Sequence, residues 1–415
     1  MRILLLTQWF DPEPCFKGLL FAKELMRRGH HVSVLTGFPN YPGGKVYPGY
    51  RVRLWQRETM EGVDILRVPL YPSHDRSAFG RGVNYLSFAL SAAVLGPLLT
   101  AEADVVYVYH PPATVGLAAL AFRWLRGVRC VYDVQDLWPD TLLATGMVRG
   151  ALIPTLVGWW CAGVYRVVNH IVVLSSGFKR RLLERGVPAA KIDVICNWCD
   201  EPEGGARPAV LPAGEKNAMA GRFNVVFAGN MGPAQDLDTV LRAARLVVSS
   251  HPAVQFVLVG GGLDTERLKR AVVAEGLANV IFLPRRPPSA IGAVLAAADV
   301  LLVHLRDDPL FAVTIPSKTQ AYLSAGRPVL MAVRGDSAEL VRRARAGLTC
   351  EPGNAAKLAA AVGAFVALPL AQREAMGRAG RDYYAAELSL SRGVDHFEDL
   401  FVKVSASAGS THLVL

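Results

Sequence analysis

Short runs of consecutive aliphatic residues alternate along almost the whole chain with longer stretches whose apolar positions recur three and four apart. Such runs fall at 2–7, 31–36, 104–109, 129–135, 171–175 and 192–196, and again at 223–229, 255–260, 280–283, 299–305, 328–333 and 347–350. Runs that are apolar throughout, rather than alternating with polar residues, predict strands covered on both faces, hence parallel sheets joined by helices. The segment 201–221, rich in Gly, Pro and Ala, interrupts the scheme and reads as a linker. The pattern predicts two doubly wound α/β domains facing a central cleft, one over 1–200 and one over 222–384. A C-terminal helix over 385–403 is expected to pack back on the first domain, with 404–415 as a tail. Ligands of such sheets bind outside the carboxyl ends of the strands, which turns the polar segments after each strand into site candidates.

Two uncharged stretches, YLSFALSAAVLGPLLTA at 85–101 and GALIPTLVGWWCAGVY at 150–165, fall just short of the about 18–20 residues a span requires and each holds a proline. They are expected to be buried or interfacial helices. The apolar run after Met1 is short and lacks a small-residue cleavage site, so it reads as a first strand rather than a signal peptide.

Composition narrows the partners. Lys and Arg outnumber Asp and Glu by 45 to 35, a net charge of +10, which suits a nucleotide or an anionic membrane surface. No zinc-finger, RRM, KH or basic-helix signature is present, so nucleic acid is not an expected partner. The six cysteines are scattered, and Cys196-x-x-Cys199 has no second Cys/His pair at ligand spacing. No metal site is expected, and a reducing cytoplasm is the natural compartment.

The polar segments after the strands carry the candidate chemistry. Lys17-Gly18 follow the first strand, and His110 follows the run at 104–109 as a candidate base or hydrogen-bond donor. Asp133, Asp136 and Asp140 surround Trp138-Pro139, a cluster with the makings of acid–base chemistry. Gly229, Asn230 and Gly232 form a glycine-rich turn before a helix, suited to diphosphate oxygens, but match neither a Walker loop nor the dinucleotide fingerprint. Arg285-Arg286 are either phosphate ligands or solvated charges. In IPSKTQAYLSAGRPVL, Ser317 and Lys318 open a helix and Gln320 follows on its first turn. That turn is either an N-cap or an anion site in which free N–H groups and Lys318 converge on phosphate.

Taken together, several segments resemble the retaining glycosyltransferases of family 4 with the GT-B fold, in the WbuB-like branch acting in O-antigen and capsule assembly. They are RGHHVSVLTGFPNYPGGKVYPGY (28–50), DVQDLWPD (133–140), HIVVLSSGFKRRLLERGVPAAKIDVICNWCD (170–200), FAGNMGPAQDLDTVLRAA (227–244) and IPSKTQAYLSAGRPVL (315–330). The resemblance implies a hexosyltransferase-type enzyme that is metal-independent and moves a sugar, with retention, from a nucleotide-sugar donor of the UDP-linked class to a lipid-linked or glycan acceptor. It implies a peripheral enzyme of the inner face of the plasma membrane, with no cofactor beyond the donor substrate. Where the wider family has two glutamates, this chain has Val313 and Ala321, and where it has a phosphate-binding Arg and Lys, Asn230 and Gln235 stand. Lys318 then becomes the best-placed cation for the donor diphosphate, with Asp136 on the acceptor side. Two other readings stay open on the sequence: a nucleotide-sugar epimerase of the same architecture, and a non-catalytic membrane-docking subunit of a glycosyltransferase complex.

Overall fold

The computed structural model describes residues 1–73, 78–144, 150–200 and 210–406. The first part of the expected linker (201–209) and most of the expected tail (407–415) lie outside the described residues. The chain divides into two compact units, Met1–Cys196 joined by the C-terminal helix from Gly393, and Asn197–Arg392.

The first unit is built on β1 (Arg2–Thr7), β2 (His31–Gly37), β3 (Gln56–Met60), β4 (Val63–Val68), β5 (Val105–His110), β6 (Arg129–Val134), β7 (His170–Val173) and β8 (Ile192–Val194), in the order β3-β4-β2-β1-β5-β6-β7-β8. All neighbours are parallel except β3 and β4, a hairpin absent from the sequence reading. Its edge strand, QRETM, has no apolar run because only one face is half-covered. Glu61 and Gly62 both adopt positive φ (48° and 86°), the backbone a tight two-residue hairpin turn requires. A charged edge strand also discourages pairing with another chain.

One buried arginine ties this hairpin to the rest of the sheet. Arg67 on β4 donates to Glu58 of β3 at 2.7 Å, to the carbonyl of Gly37 at 3.0 Å and to that of Asp11 at 2.6 Å, with its side chain wholly buried. The two apolar stretches form the helices Ala78–Leu99 and Leu152–Val167. The first is longer than the sequence stretch suggested and, by length and composition alone, long enough to cross a membrane. Phe88, Ala89 and Ala92 nevertheless pack into the fold, while Leu86, Leu90, Val94 and Leu98 form an exposed stripe at steps of four. On the second helix Cys161, Val164 and Tyr165 face inward and Leu152, Leu156 and Trp159 outward. The C-terminal helix Leu390–Ala406 completes the unit, with Phe397 against both Phe21 and Tyr107 at 5.3 Å.

The second unit has a wholly parallel sheet of β9 (Phe223–Asn230), β10 (Val254–Gly261), β11 (Val280–Leu283), β12 (Val300–His304), β13 (Val329–Ala332) and β14 (Gly347–Thr349), in the order β11-β10-β9-β12-β13-β14. Within the expected linker lies a helix, Ala213–Met219, held to the sheet because Asn224 and Gln255 donate to the carbonyls of Met219 and Ala218. Glycine and alanine there read as linker, but two buried amides on the first residues of β9 and β10 need those carbonyls. The chain order reverses direction between β9 and β12, which makes their carboxyl ends the switch point of the sheet.

Arg67→Met is expected to lower the unfolding free energy by about 3 kcal/mol, since it strands Glu58 and two carbonyls. Lys23→Met, which breaks the solvent-exposed pair with Glu61, should cost under about 1 kcal/mol. Urea unfolding of both variants checks this. Equal losses would show that the brace adds nothing beyond a surface pair.

Candidate active site

At the switch point of the second unit, β9 matches β10 along its whole length but pairs with β12 only at Val225 and Val226. Beyond Val226 the two strands part, and the N–H and C=O of Ala228 lose their partner strand. The hydroxyl of Tyr322 satisfies both: it accepts from Ala228 N at 2.8 Å and donates to Ala228 O at 3.2 Å. Tyr322 sits on the helix Lys318–Ala325, so this double bond seats the helix N-terminus in the gap. Lys318 then lies over the end of β9. Its Nζ is 3.7 Å from the Phe227 ring centroid, and a Cβ on Gly229 would stand 3.1 Å from it. Gly229 has φ 148°, a backbone open only to glycine.

That ammonium is buried and has no hydrogen-bond partner. Burial pulls it down to about 7. Next to it His304 holds Nδ1 against the carbonyl of Gln235 at 2.8 Å while its Nε2 is buried without a partner. Burial lowers the imidazole as well, and the charge of Lys318 adds to that, against the opposing pull of the Gln235 carbonyl and Asp236. A buried cation over a glycine backbone at the carboxyl edge of a parallel sheet is an incomplete electrostatic arrangement. What completes it is an anion.

In the first unit the chain after β6 places Asp136 half-buried, with burial raising its carboxyl to about 6. Tyr85 lies near enough to feel its charge and belongs to a set of half-buried aromatics: Trp9 stacks on Tyr41 at 4.7 Å and meets Tyr85 edge-on at 6.0 Å. Burial and the nearby charge of Asp136 both raise the Tyr85 phenol. The Trp138 indole donates to the carbonyl of Pro111 at 3.0 Å, fixing the turn that carries Asp136. An acid titrating near neutrality beside flat aromatic faces suits proton transfer on a polar, ring-shaped substrate.

Most of the chain is similar to glycosyltransferases. Residues 19–198 match the family model of a glycosyl transferase 4-like domain and residues 222–367 that of glycosyl transferases group 1. WcaI of Escherichia coli K12, named for colanic acid biosynthesis, is 26% identical over 348 residues, which is 79% of this chain and 82% of WcaI. WbjE of Pseudomonas aeruginosa, named as a glycosyltransferase, is 26% identical over 62% of this chain and 64% of its own. The crystal structure of HepE from Anabaena in complex with UDP superposes with a TM-score of 0.68, at 15% identity, over 97% of this chain and all of HepE. The chain belongs to the family 4-type glycosyltransferases with the GT-B fold.

Within this glycosyltransferase the residues singled out in the sequence have separate fates. Gly229, Asn230, Gly232, Gln235, Ser317 and Lys318 gather at the switch point, but not in equal roles. Gln235 turns inward, its Oε1 accepting from Gly232 N at 3.1 Å and from Asn230 at 3.3 Å, so it shapes the glycine turn. Ser317 is exposed and makes no capping bond, because its own backbone is already helical. Gln320 is buried, and with its amide oriented so that the nitrogen faces them it donates to the carbonyls of Pro316 and Ser317 at 3.1 Å, closing the turn from within.

Four expectations are corrected. Lys17 does not present its ammonium to a ligand: it is fully buried, bonded to Asp133 at 2.5 Å, with Tyr107 donating to the same carboxylate oxygen. Gly18 offers no close approach, since Asp11 and Cys15 fill the space where its Cβ would be. His110 is no base, for its ring is buried on Tyr132 at 4.7 Å and desolvation pushes it down to about 3. Arg286 is taken up by an ion pair with Glu215, inside the segment read as linker.

The sequence reading missed Tyr322, His304 and Glu13. Glu13 is buried and accepts from the backbone of Asn40 at 2.7 Å and Tyr41 at 2.6 Å, holding the loop that supplies the aromatic wall. Burial raises its carboxyl to about 7 against those donors. All three act through backbone partners distant in the chain, and no local motif marks such a contact.

The buried ammonium makes stability depend on pH in a defined direction. Lys318 titrates near 10.5 in the unfolded chain and about 7 in the fold. Below about 7 both states are charged and the fold bears the whole cost of burial; the cost shrinks as pH rises and vanishes near 10.5. Lys318→Met is therefore expected to raise the melting temperature of the ligand-free protein most near pH 6 and least near about pH 10. A gain independent of pH in melts across that range would show that Lys318 is not a desolvated ammonium.

Proposed function

We propose that this glycosyltransferase moves a sugar from a UDP-linked donor to a lipid-linked or glycan acceptor in cell-surface polysaccharide synthesis, with retention and without a metal ion. The observation that carries this reading is the unpartnered ammonium of Lys318 over Gly229. As the sugar leaves, negative charge develops on the β-phosphate of the departing nucleotide. A preorganised cation with neighbouring N–H groups, already desolvated, stabilises that charge more in the transition state than in the bound donor. Retention is part of this reading because the family resemblance implies it. Lys318 supplies the charge that a metal would otherwise bring; His304 beside it spends its one neutral N–H on the Gln235 carbonyl, so its Nε2 donates only when the ring is protonated. The uridine assignment draws support from HepE, crystallised with UDP. Asp136, poised near 6, orients or deprotonates the acceptor hydroxyl between the aromatic faces.

A lipid-linked acceptor calls for a membrane surface. The exposed stripe Leu86, Leu90, Val94 and Leu98 and the outward face Leu152, Leu156 and Trp159 are apolar surfaces on helices of the same unit. They fit shallow burial in the cytoplasmic leaflet of the plasma membrane rather than a span. On and just after the helix Ser176–Glu184, Arg181 and Arg185 are paired with Glu184 and Asp140, which leaves the apolar faces as the main attachment in this reading.

Lys318→Ala should lower kcat by about 10²–10³ and weaken UDP binding, with Lys318→Arg recovering only part, since a planar fork does not replace a point charge. Asp136→Asn should cost about 10²–10⁴ in rate and abolish the rise in activity through the carboxyl's titration near 6. Steady-state kinetics with radiolabelled UDP-sugars and a membrane lipid extract read both. Unaltered turnover in Lys318→Ala would return this turn to a purely structural role.

For the membrane, the wild-type protein is expected to float with anionic liposomes. A Leu90→Asp/Trp159→Asp double variant should lose this by about tenfold or more, each buried apolar side chain contributing about 1.5–3 kcal/mol. Equal flotation of the two would exclude these helices as the attachment face.

A further inference from the structure

The first unit contains a cavity of about 630 Å³ that the chemistry described so far does not use. It opens between the helix Leu152–Val167 and the segment 185–191, and its walls include Pro139, Gly158, Tyr165, Arg166, Arg185 and Lys191. Its volume falls in the about 300–1,000 Å³ range of small-molecule sites. The remaining wall is apolar or small, three of the lining residues are cations, and among the described residues no carboxylate lines it.

These groups are unequally committed. Arg185 is paired with Asp140 and donates to the carbonyl of Trp138 at 2.8 Å. Lys191 donates to the carbonyls of Tyr165 and Arg166 at 2.6 and 2.9 Å, capping the helix C-terminus while one N–H of its ammonium stays unused. Arg166 is exposed. The Tyr165 hydroxyl is fully buried, with no partner better than the weak Cys161 thiol and with the charges of Arg185 and Asp140 near enough to act on it. An unsatisfied buried hydroxyl in the wall of a cation-rimmed apolar cavity is a cost the fold bears for nothing unless something fills the space.

We infer that this cavity binds a phosphate ester of a long apolar chain, the chain along the Gly158 wall and the phosphate toward Arg166, Lys191 and the Tyr165 hydroxyl. The inference rests on the reading of the acceptor as lipid-linked and gives that lipid a seat. Helix Leu152–Val167, whose outer face carries Leu152, Leu156 and Trp159, forms one wall, so a chain drawn from a bilayer enters beside the attachment surface. Pro139 forms part of another, three residues beyond Asp136 and 3.8 Å from a Cβ on Gly158, so the wall along the chain borders the segment that carries the acceptor acid. A free phosphate leaves the apolar wall unfilled, and an uncharged chain leaves the cations unmet; only the joined molecule uses both.

Farnesyl phosphate, farnesol and inorganic phosphate serve as probes of the full-length protein, followed by tryptophan fluorescence and native mass spectrometry. Farnesyl phosphate is expected to bind one to one, at least about tenfold more tightly than either half. A Cβ at Gly158 meets only Pro139, at 3.8 Å, so Gly158→Phe directs its ring into the cavity and should weaken binding about tenfold or more. Tyr165→Phe removes a hydroxyl with no partner better than a thiol in the empty protein. It should leave the melting temperature unchanged or raised while weakening farnesyl phosphate about fivefold, a split a merely structural tyrosine would not give. The inference is overturned if farnesyl phosphate fails to bind, if Gly158→Phe binds it as well as wild type, or if inorganic phosphate binds equally tightly. UDP binding measured alongside keeps the two readings apart. UDP bound without farnesyl phosphate sinks the cavity alone, and farnesyl phosphate bound without UDP sinks the donor reading alone.

Discussion

The parting of β9 from β12 after Val226 is the constraint on which the donor-side chemistry depends. A strand that leaves its neighbour must find other partners for its backbone, and Ala228 finds both in one tyrosine hydroxyl. Burying Ala228 without them would cost more than a single hydrogen bond contributes, so the helix carrying Tyr322 has little freedom to sit elsewhere. Lys318 is the first residue of that helix, and its position over Gly229 follows. The ammonium is therefore held by packing rather than by a counter-charge. That is why it remains unpartnered, and why burial weakens its hold on a proton.

The first unit solves the opposite problem. There a buried cation does have its counter-charge: Lys17 and Asp133 neutralise each other under the C-terminal helix, whose Phe397 ring lies 5.0 Å from the ammonium. Such a pair adds little net stability, because desolvation offsets most of the attraction. It does fix the end of β6, since Asp133 also accepts from Tyr107. With Asp133 so engaged, Asp136 is left as the half-buried acid of the cluster beside the aromatic wall. Two lysines and two aspartates that look alike in sequence thus separate into a structural pair and two chemically available groups. Neighbouring residues, not residue type, make the division.

What the sequence determined by itself was the architecture. Unbroken aliphatic runs imply strands covered on both faces, and such strands can only be parallel ones flanked by helices, so twelve of the fourteen strands among the described residues were legible from hydrophobicity. The two it missed, β3 and β4, pair as an antiparallel hairpin: edge strand β3 is half-exposed and needs no apolar run, while the run of buried β4 is broken by Asp64 and by Arg67, whose charge is met inside the fold. The positions of Gly229, Lys318 and Asp136 after strands were legible too, because the rule that ligands lie at the carboxyl ends depends only on chain order. Which polar groups remain available was decided by the tertiary structure. Lys17, Arg286, Gln235 and Gln320 are used up by Asp133, Glu215, the Gly232 amide and the carbonyls of Pro316 and Ser317, all inside the fold. The physical reason is that a hydrogen bond or ion pair spends a group's capacity on whichever partner burial brings within about 3 Å. For Lys17 and Arg286 that partner lies 116 and 71 residues away, and sequence spacing carries no record of it.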